Sequence, residues 1–208
     1  MTAEATPRRR RQAGERSRRT ILAAAARLAT VEGLEGLSIG RLAEEVGISK
    51  SGLYAHFRSK RELQLATIDT AGEIFEREVV APGAASPPGI PRILALAEAF
   101  LSHVERGVFP GGCFFTAATA EMNVRPGPVR DRVGEFVAGW LGTIEAAVHE
   151  ARERGELASE TDAAQLAFEI NALLVTANLA FLLFGAPEVL ERARRGIRHR
   201  LPPDGARV

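Results

Sequence analysis

Apolar side chains recur every three to four residues along most of the chain, and no stretch alternates apolar and polar positions for long enough to make a strand. From Arg16 to Val31 the sets Ile21, Ala25, Leu28 and Leu22, Ala26, Ala29 mark a helix that Gly33 should stop. Ser38 can cap a short helix carrying Ile39, Leu42, Ala43 and Val46 at i, i+3, i+4 and i+7, and Gly47 ends it. Ser49 can cap a third helix running to about Phe57. Ser59-Lys60-Arg61-Glu62 reads as a capping box that opens a longer helix through Leu63, Ala66, Ile68 and Phe75 to about Val79. Ala81 to Pro91, APGAASPPGIP, reads as a loop that leaves the end of that helix free to move.

Further helices are predicted at about 91–106, 112–123, 127–154, 161–184 and 187–200. The longest carries Val129, Val133, Phe136, Val137, Trp140, Ile144, Ala147 and Ala151 on one stripe. The predicted class is therefore all-α, with about nine helices. Three regions follow. Residues 1–15 lack apolar periodicity and are expected to form a disordered basic arm, 16–65 a small three-helix head, and 66–208 a larger helical bundle.

Charge sharpens this division. The net charge is +1, but residues 1–65 carry 13 Lys+Arg against 7 Asp+Glu, and the remainder carries 14 against 19. A basic first third joined to an acidic remainder points to a polyanionic partner for the head. The run Arg8–Arg11 has two readings, a solvated tail or an arm that follows DNA phosphates or a minor groove beside the head, and the second is expected. The single cysteine, Cys113, excludes an intrachain disulfide and reads as a buried, inert thiol rather than a redox sensor. The N-terminal MTAEATPRRRRQAGERSRRT has a basic run but no apolar core, so it does not read as a secretory signal. Leu166 to Phe184 is hydrophobic at 15 of 19 positions, yet Glu169, Asn171 and Asn178 argue for burial in protein rather than a membrane span. A soluble, cytoplasmic protein is expected. The four histidines are far apart, and no metal-ligand pair, nucleophile motif or phosphate-binding glycine loop is present, so no enzyme, metal or cofactor is predicted.

Two short helices joined at Val46-Gly47-Ile48 have the spacing of a helix-turn-helix, whose second helix enters the DNA major groove. Leu42, Val46, Ile48, Leu53 and Phe57 can form the core that fixes them. The other face then presents Ser49, Lys50, Ser51, Tyr54 and His56. Hydroxyls allow close approach, lysine and tyrosine reach phosphates or base edges, and Gly52 leaves no side chain to hold the helix away. Lys60 sits in the first turn of the next helix, where the dipole already favours a phosphate. The only two lysines of the chain, Lys50 and Lys60, thus flank one recognition helix.

Over Gly33 to Asp69, GLEGLSIGRLAEEVGISKSGLYAHFRSKRELQLATID resembles the DNA-binding domain of TetR/AcrR-type transcriptional regulators. Tyr54 and Phe57, followed by Lys60 and Leu63, carry the specific part of the resemblance. It implies a homodimer, double-stranded DNA with a palindromic operator, and an inducer pocket in the bundle. It places Ser38, Ser49, Lys50, Ser51, Tyr54, His56 and Lys60 at the DNA. The expected function is a repressor released by a small apolar or aromatic effector; a DNA-organising protein of the same fold without a ligand, and an activator, are the alternatives. Phe100, His103, Phe114, Phe115, Met122, Phe136, Trp140, Phe168 and Asn171 are candidate pocket walls. The helix at 161–184 is apolar nearly all round, so it can bury one side against a twin, with Leu174, Asn178 and Leu182 at the interface. Asn171 and Asn178 share a face, able to bond across a two-fold axis or to point into a pocket.

Overall fold

The computed structural model describes residues 7–201, and every regular element among them is helical. The order is α1 (Pro7–Glu32), α2 (Ile39–Val46), α3 (Lys50–Tyr54), α4 (Lys60–Phe75), a π-helical turn (Glu76–Val80), α5 (Ala81–Ala84), α6 (Ile90–Glu105), α7 (Phe114–Met122), α8 (Pro128–Glu153), α9 (Ala163–Phe184) and α10 (Glu188–His199). Because α4, the π turn and α5 run on without a break, the described residues form nine continuous rods.

The head is α1 to α3 with the start of α4. Leu34, Leu37, Leu42, Leu53, Phe57 and Leu63 are buried there. Val46 only half-faces this core and Ile48 is 37% exposed, so the turn itself adds less apolar burial than the alternation suggested. Each helix starts where a serine can take an unpaired N–H. Ser38 Oγ accepts from Arg41 N at 3.2 Å, Ser49 Oγ from Gly52 N at 3.1 Å, and Ser59 Oγ from Glu62 N at 3.1 Å. The reciprocal half of the last box is displaced by one residue, with Glu62 accepting from Arg58 N at 2.9 Å. Gly47 ends α2 at φ +67, in the left-handed region that a side chain makes costly. The regular part of α3 stops at Tyr54, three residues short of the predicted end at Phe57.

Helix α1 begins at Pro7, so the arm expected to be disordered over 1–15 is helical from that proline on. Proline's fixed φ suits a first helical position, and the Arg, Gln and Ala that follow are good helix formers. Residues 1–6, and the side chains of Arg8–Arg11, lie outside what the structure describes.

The predicted loop at 81–91 is also corrected. Ala81–Ala84 continues the long rod, and Pro82 is tolerated because the helix changes register just before it. In the π turn, Ala81 N bonds back to Glu76 O, five residues earlier. The true connection is short and pinned. Gly83 packs so tightly on Leu96 that a Cβ there would overlap it. The Arg92 guanidinium holds Glu150 at 2.6 and 2.7 Å and Ser86 O at 3.1 Å. Glu156 caps α6 by accepting Ile90 N at 2.7 Å. The far end of the α4 rod is therefore anchored in the bundle, not free.

In the bundle, α9 packs between α8 and α10 and also touches α6. By length and composition α9 could cross a membrane. Its ends are instead set by polar chemistry, with Asp162 Oδ1 accepting Gln165 N at 3.0 Å and Gly185 closing the C-terminus at φ +63. Its two asparagines are both engaged inside the chain. Trp140 Nε1 donates to Asn171 Oδ1 at 3.0 Å, and Cys113 N donates to Asn178 Oδ1 at 2.9 Å.

Candidate DNA interface and ligand cavity

The exposed side of α3 carries Lys50, Ser51 and Tyr54, the last 59% exposed. Ser49 Oγ lies 3.0 Å from Ser51 Oγ, so the two hydroxyls form one polar step at the start of the helix. Lys50 reaches across the start of α2, where a Cβ on Gly40 would stand 3.3 Å from its Cε and 3.4 Å from its Nζ. At Gly52 a Cβ would meet only Ser49 Oγ, at 3.3 Å, so the outer side of α3 is open. His56 is half-buried, its ring tilted on Phe57 at 6.3 Å. From the other side of Phe57 the Arg18 guanidinium sits 5.0 Å from the ring centroid. Ser38, Ser49, Lys50, Ser51, Tyr54 and Lys60 are all exposed, on the head.

Lys60 is not a loose point charge. Its Nζ donates to Glu35 O at 2.6 Å and to Glu35 Oε2 at 2.7 Å. Gln64 Nε2 adds bonds to Leu34 O at 2.9 Å and Glu35 Oε1 at 3.3 Å. Hydrogen bonds from Lys60 and then Gln64 hold the Glu35 carboxyl below the usual range. On the opposite side of the same loop, Glu121 of α7 accepts Leu34 N at 2.6 Å and Glu35 N at 2.8 Å. Arg27 Nη1 reaches Val108 O at 3.0 Å, and Gly111 N reaches Thr30 Oγ1 at 3.1 Å. The head is thus tied to the bundle through α7 and the loop before it, as well as through α4. Glu121 carried no signal in the sequence, because nothing there relates position 121 to the turn at 34–35.

A cavity of about 1040 Å³ opens between α4 with its π turn, α6, α7, α8 and α9. Phe100, Phe115, Phe136, Trp140 and Asn171, all expected as walls, line it. Phe75, which was not expected, sits at its centre of packing. It meets Trp140 edge-on at 5.1 Å and Phe115 at 5.9 Å, while Phe115 stacks on Phe136 at 5.0 Å. Four expected residues are elsewhere. Phe114 and Met122 are buried in the core behind the cavity, and Phe168 is 62% exposed on the outside. His103 is buried between Phe75 and Phe109. The wall from α4 and its π turn, with Asp69, Glu73 and Glu76, was missed because that rod read only as a connector. Its residues 69, 73, 76 and 80 fall on one face, which is the recoverable signal. Across the cavity Arg132 of α8 bonds to Asp69 at 2.8 Å and to Glu135 at 2.6 Å, lying 4.7 Å from the Phe136 ring centroid. Gly72 lets the Phe136 ring rest directly on α4. Cys113 also lines the cavity, and burial pushes its thiol up.

Among the described residues neither ring nitrogen of His103 has a hydrogen-bond partner. Burial holds the imidazole down to about 4 from its ordinary 6.5, with Glu78 opposing and Arg106 adding to the shift. The native state therefore refuses a proton that the unfolded chain accepts between those values. Stability should be unaffected by this residue above pH 6.5 and should fall as pH drops towards 4, by about 3 kcal/mol in all. His103→Leu, which also removes the unpaired polar ring, is expected to flatten that loss in urea melts at pH 7 and pH 4.5. Equal acid sensitivity in the variant would place the proton uptake elsewhere.

Models of two families match the chain. That of the bacterial regulatory proteins of the tetR family matches residues 21–67, and that of the tetracyclin repressor-like C-terminal domain matches residues 89–197, more than half of the chain. The chain belongs to the TetR family of transcriptional regulators. Solved structures agree. A TetR transcriptional regulator from Chloroflexus aurantiacus is 30% identical and superposes at TM-score 0.84, over 90% of this chain and 95% of that one. A TetR-family regulator from Streptomyces coelicolor is 25% identical at TM-score 0.74, over 90% and 94%. AibR, solved in complex with isovaleryl coenzyme A and operator DNA, shares the fold at 22% identity and TM-score 0.69, over 88% and 97%. No curated protein sequence matches significantly.

As a TetR-family member the protein is a DNA-binding transcriptional regulator, and the helix-turn-helix is its reading head. Two of the three residues expected at a dimer interface are not on the surface of the chain. Leu174 is fully buried and Asn178 is 1% exposed, both turned into the chain's own core. Leu182, 42% exposed, leans over Gly112, where a Cβ would lie 2.7 Å from its Cδ1. The outward stripe of α9 is instead Phe168, Leu179 and Leu183, exposed by 62%, 52% and 75%. Because α9 is apolar on both sides, periodicity cannot say which side a neighbour within the chain already covers.

Proposed function

We propose that this protein is a homodimeric repressor that binds a palindromic operator and leaves it when a small molecule fills the bundle cavity. The observation that carries the reading is that one rod serves both ends. α4 begins with Lys60 at the head and supplies Asp69, Glu73 and Phe75 to the cavity. A ligand pressing on that wall acts on the rod that sets the spacing of the two heads, which must lie about 34–36 Å apart to read one face of DNA. A DNA-organising protein would need no cavity of about 1040 Å³, so the cavity favours the sensor. An activator of the same build would differ in where its operator lies. The reading places the protein with the chromosome, in the cytoplasm, with DNA, its twin and a small effector as partners. Ser38, Ser49, Lys50, Ser51, Tyr54, His56 and Lys60 are assigned to the DNA, with Lys50 and Ser51 closest to base edges. Arg8–Arg11, at the start of α1, are assigned to the flanking phosphates.

The test uses Trp140, the sole tryptophan, which lines the cavity. Fluorescence titration with the neutral apolar probe N-phenyl-1-naphthylamine is run with and without operator DNA recovered from genomic fragments. Operator should weaken probe binding by about 5- to 150-fold, the range of typical coupling energies. Equal probe affinity in both conditions would mean that the cavity does not control DNA binding.

A further inference from the structure

The cavity has an uneven charge balance. Asp69 and Glu73 of α4, Glu76 of the π turn and Glu135 of α8 bring four carboxylates to it, against the one guanidinium, that of Arg132, among the described residues. Among those residues no lysine or histidine lines it. Arg132 is already engaged, bonding to Asp69 and Glu135 at 2.8 and 2.6 Å. Glu73 of α4 and Glu76 of the π turn are exposed on the cavity side of the rod, and neither has an ion pair or a side-chain hydrogen bond among the described residues. An anionic ligand would enter against this field, with no free cation to receive it.

The walls favour the same sign. Phe75, Phe100, Phe115, Phe136 and Trp140 surround the space with aromatic rings, whose faces carry negative charge density. Trp140 spends its N–H on Asn171, so its ring rather than its donor is left for a ligand. One ring already holds a cation, since the Arg132 guanidinium lies 4.7 Å from the Phe136 centroid. The wall is thus built in the geometry a second positive group would use.

Resting on the reading of this cavity as the effector site, we propose that its ligand is an organic cation: a quaternary ammonium, phosphonium or amidinium centre on an apolar or aromatic body. The rings enclose the body, and Glu73 and Glu76 supply the counter-charge at the mouth. The attraction is partly exposed to water, so it is worth about tenfold in affinity and weakens with salt.

Two probes of matched size and shape and opposite charge, tetraphenylphosphonium and tetraphenylborate, are titrated against Trp140 fluorescence of the full-length protein, with N-phenyl-1-naphthylamine as the neutral control. The phosphonium should bind about tenfold more tightly than the borate, and Glu73→Gln/Glu76→Gln should erase that difference while the neutral probe reports that the cavity keeps its shape. The proposal is overturned if the borate binds as tightly as the phosphonium, or if the double substitution leaves phosphonium affinity unchanged while the neutral probe still binds. If none of the three probes perturbs Trp140, the cavity is not an effector site, and the proposal falls together with that reading.

Discussion

Phe168→Glu combined with Leu183→Glu should yield a folded monomer that binds operator about 100- to 10,000-fold more weakly than the parent. Both side chains are largely exposed on the outer stripe of α9, 62% and 75%, so charging them should cost little within one chain. Against a twin they would set like charges across an apolar seam, which removes the reason to associate. A dimer places its second head near its half-site at an effective concentration around millimolar, and a monomer forfeits that gain. Sedimentation at micromolar protein gives the assembly, and operator titration gives the affinity. Neither residue lines the cavity, so probe binding is an independent check on the fold. Leu174→Arg is the contrast. It buries an unpaired charge at a fully covered position and should cost more than about 4 kcal/mol, unfolding the chain instead of splitting a dimer. A double variant that sediments as a dimer would move the interface off α9.

Glu121→Ala should lower the melting temperature by about 6–12 °C and shrink the antagonism between cavity probe and operator. The Glu121 carboxylate takes the N–H groups of Leu34 and Glu35, at 2.6 and 2.8 Å, so its removal strips the charged acceptor from two backbone donors. Two charge-assisted bonds of this kind are worth about 3 kcal/mol, and the temperature shift follows from that for a chain of this length. The functional effect follows from the order of contacts. Thr116, Thr119 and Ala120 of α7 line the cavity, Glu121 follows on the same helix, and the turn it holds presents Glu35 to Lys60. Movement of α7 around a ligand can therefore reach Lys60 through four hydrogen bonds, without passing along α4. Glu121→Gln keeps one acceptor oxygen and should fall between parent and Ala variant in both measurements. Parent-like melting together with undiminished coupling in Glu121→Ala would rule out this route and leave the coupling to α4 and the Arg27 and Thr30 contacts.

Much of the head was legible in the sequence because its determinants are local. Ser38, Ser49 and Ser59 satisfy donors three residues on, Gly47 takes a backbone angle that few other residues accept, and the buried set repeats at helical spacing. The all-α class, the helix order and the exposed row Lys50, Ser51 and Tyr54 follow from those facts alone. So do the large rings of the bundle, although only some line the cavity. Where the sequence misled, the cause lay in non-local packing. The prolines of 81–91 marked a break, but a π turn absorbed Pro82 and the Arg92–Glu150 pair pinned the connection. Phe168 and Leu174 are equally apolar to a sequence, yet α8 and α10 cover one and leave the other to solvent. The bonds from Glu121 to residues 34 and 35 span more than eighty positions, and the cavity arises from five helices that meet only after folding. Which segments are helical and which chemistry the head offers to DNA could be read locally, because helix caps and periodicity act within a few residues. Which apolar faces are covered inside the chain, where the cavity lies, and how it is joined to Lys60 follow from packing between distant segments, which no local pattern records.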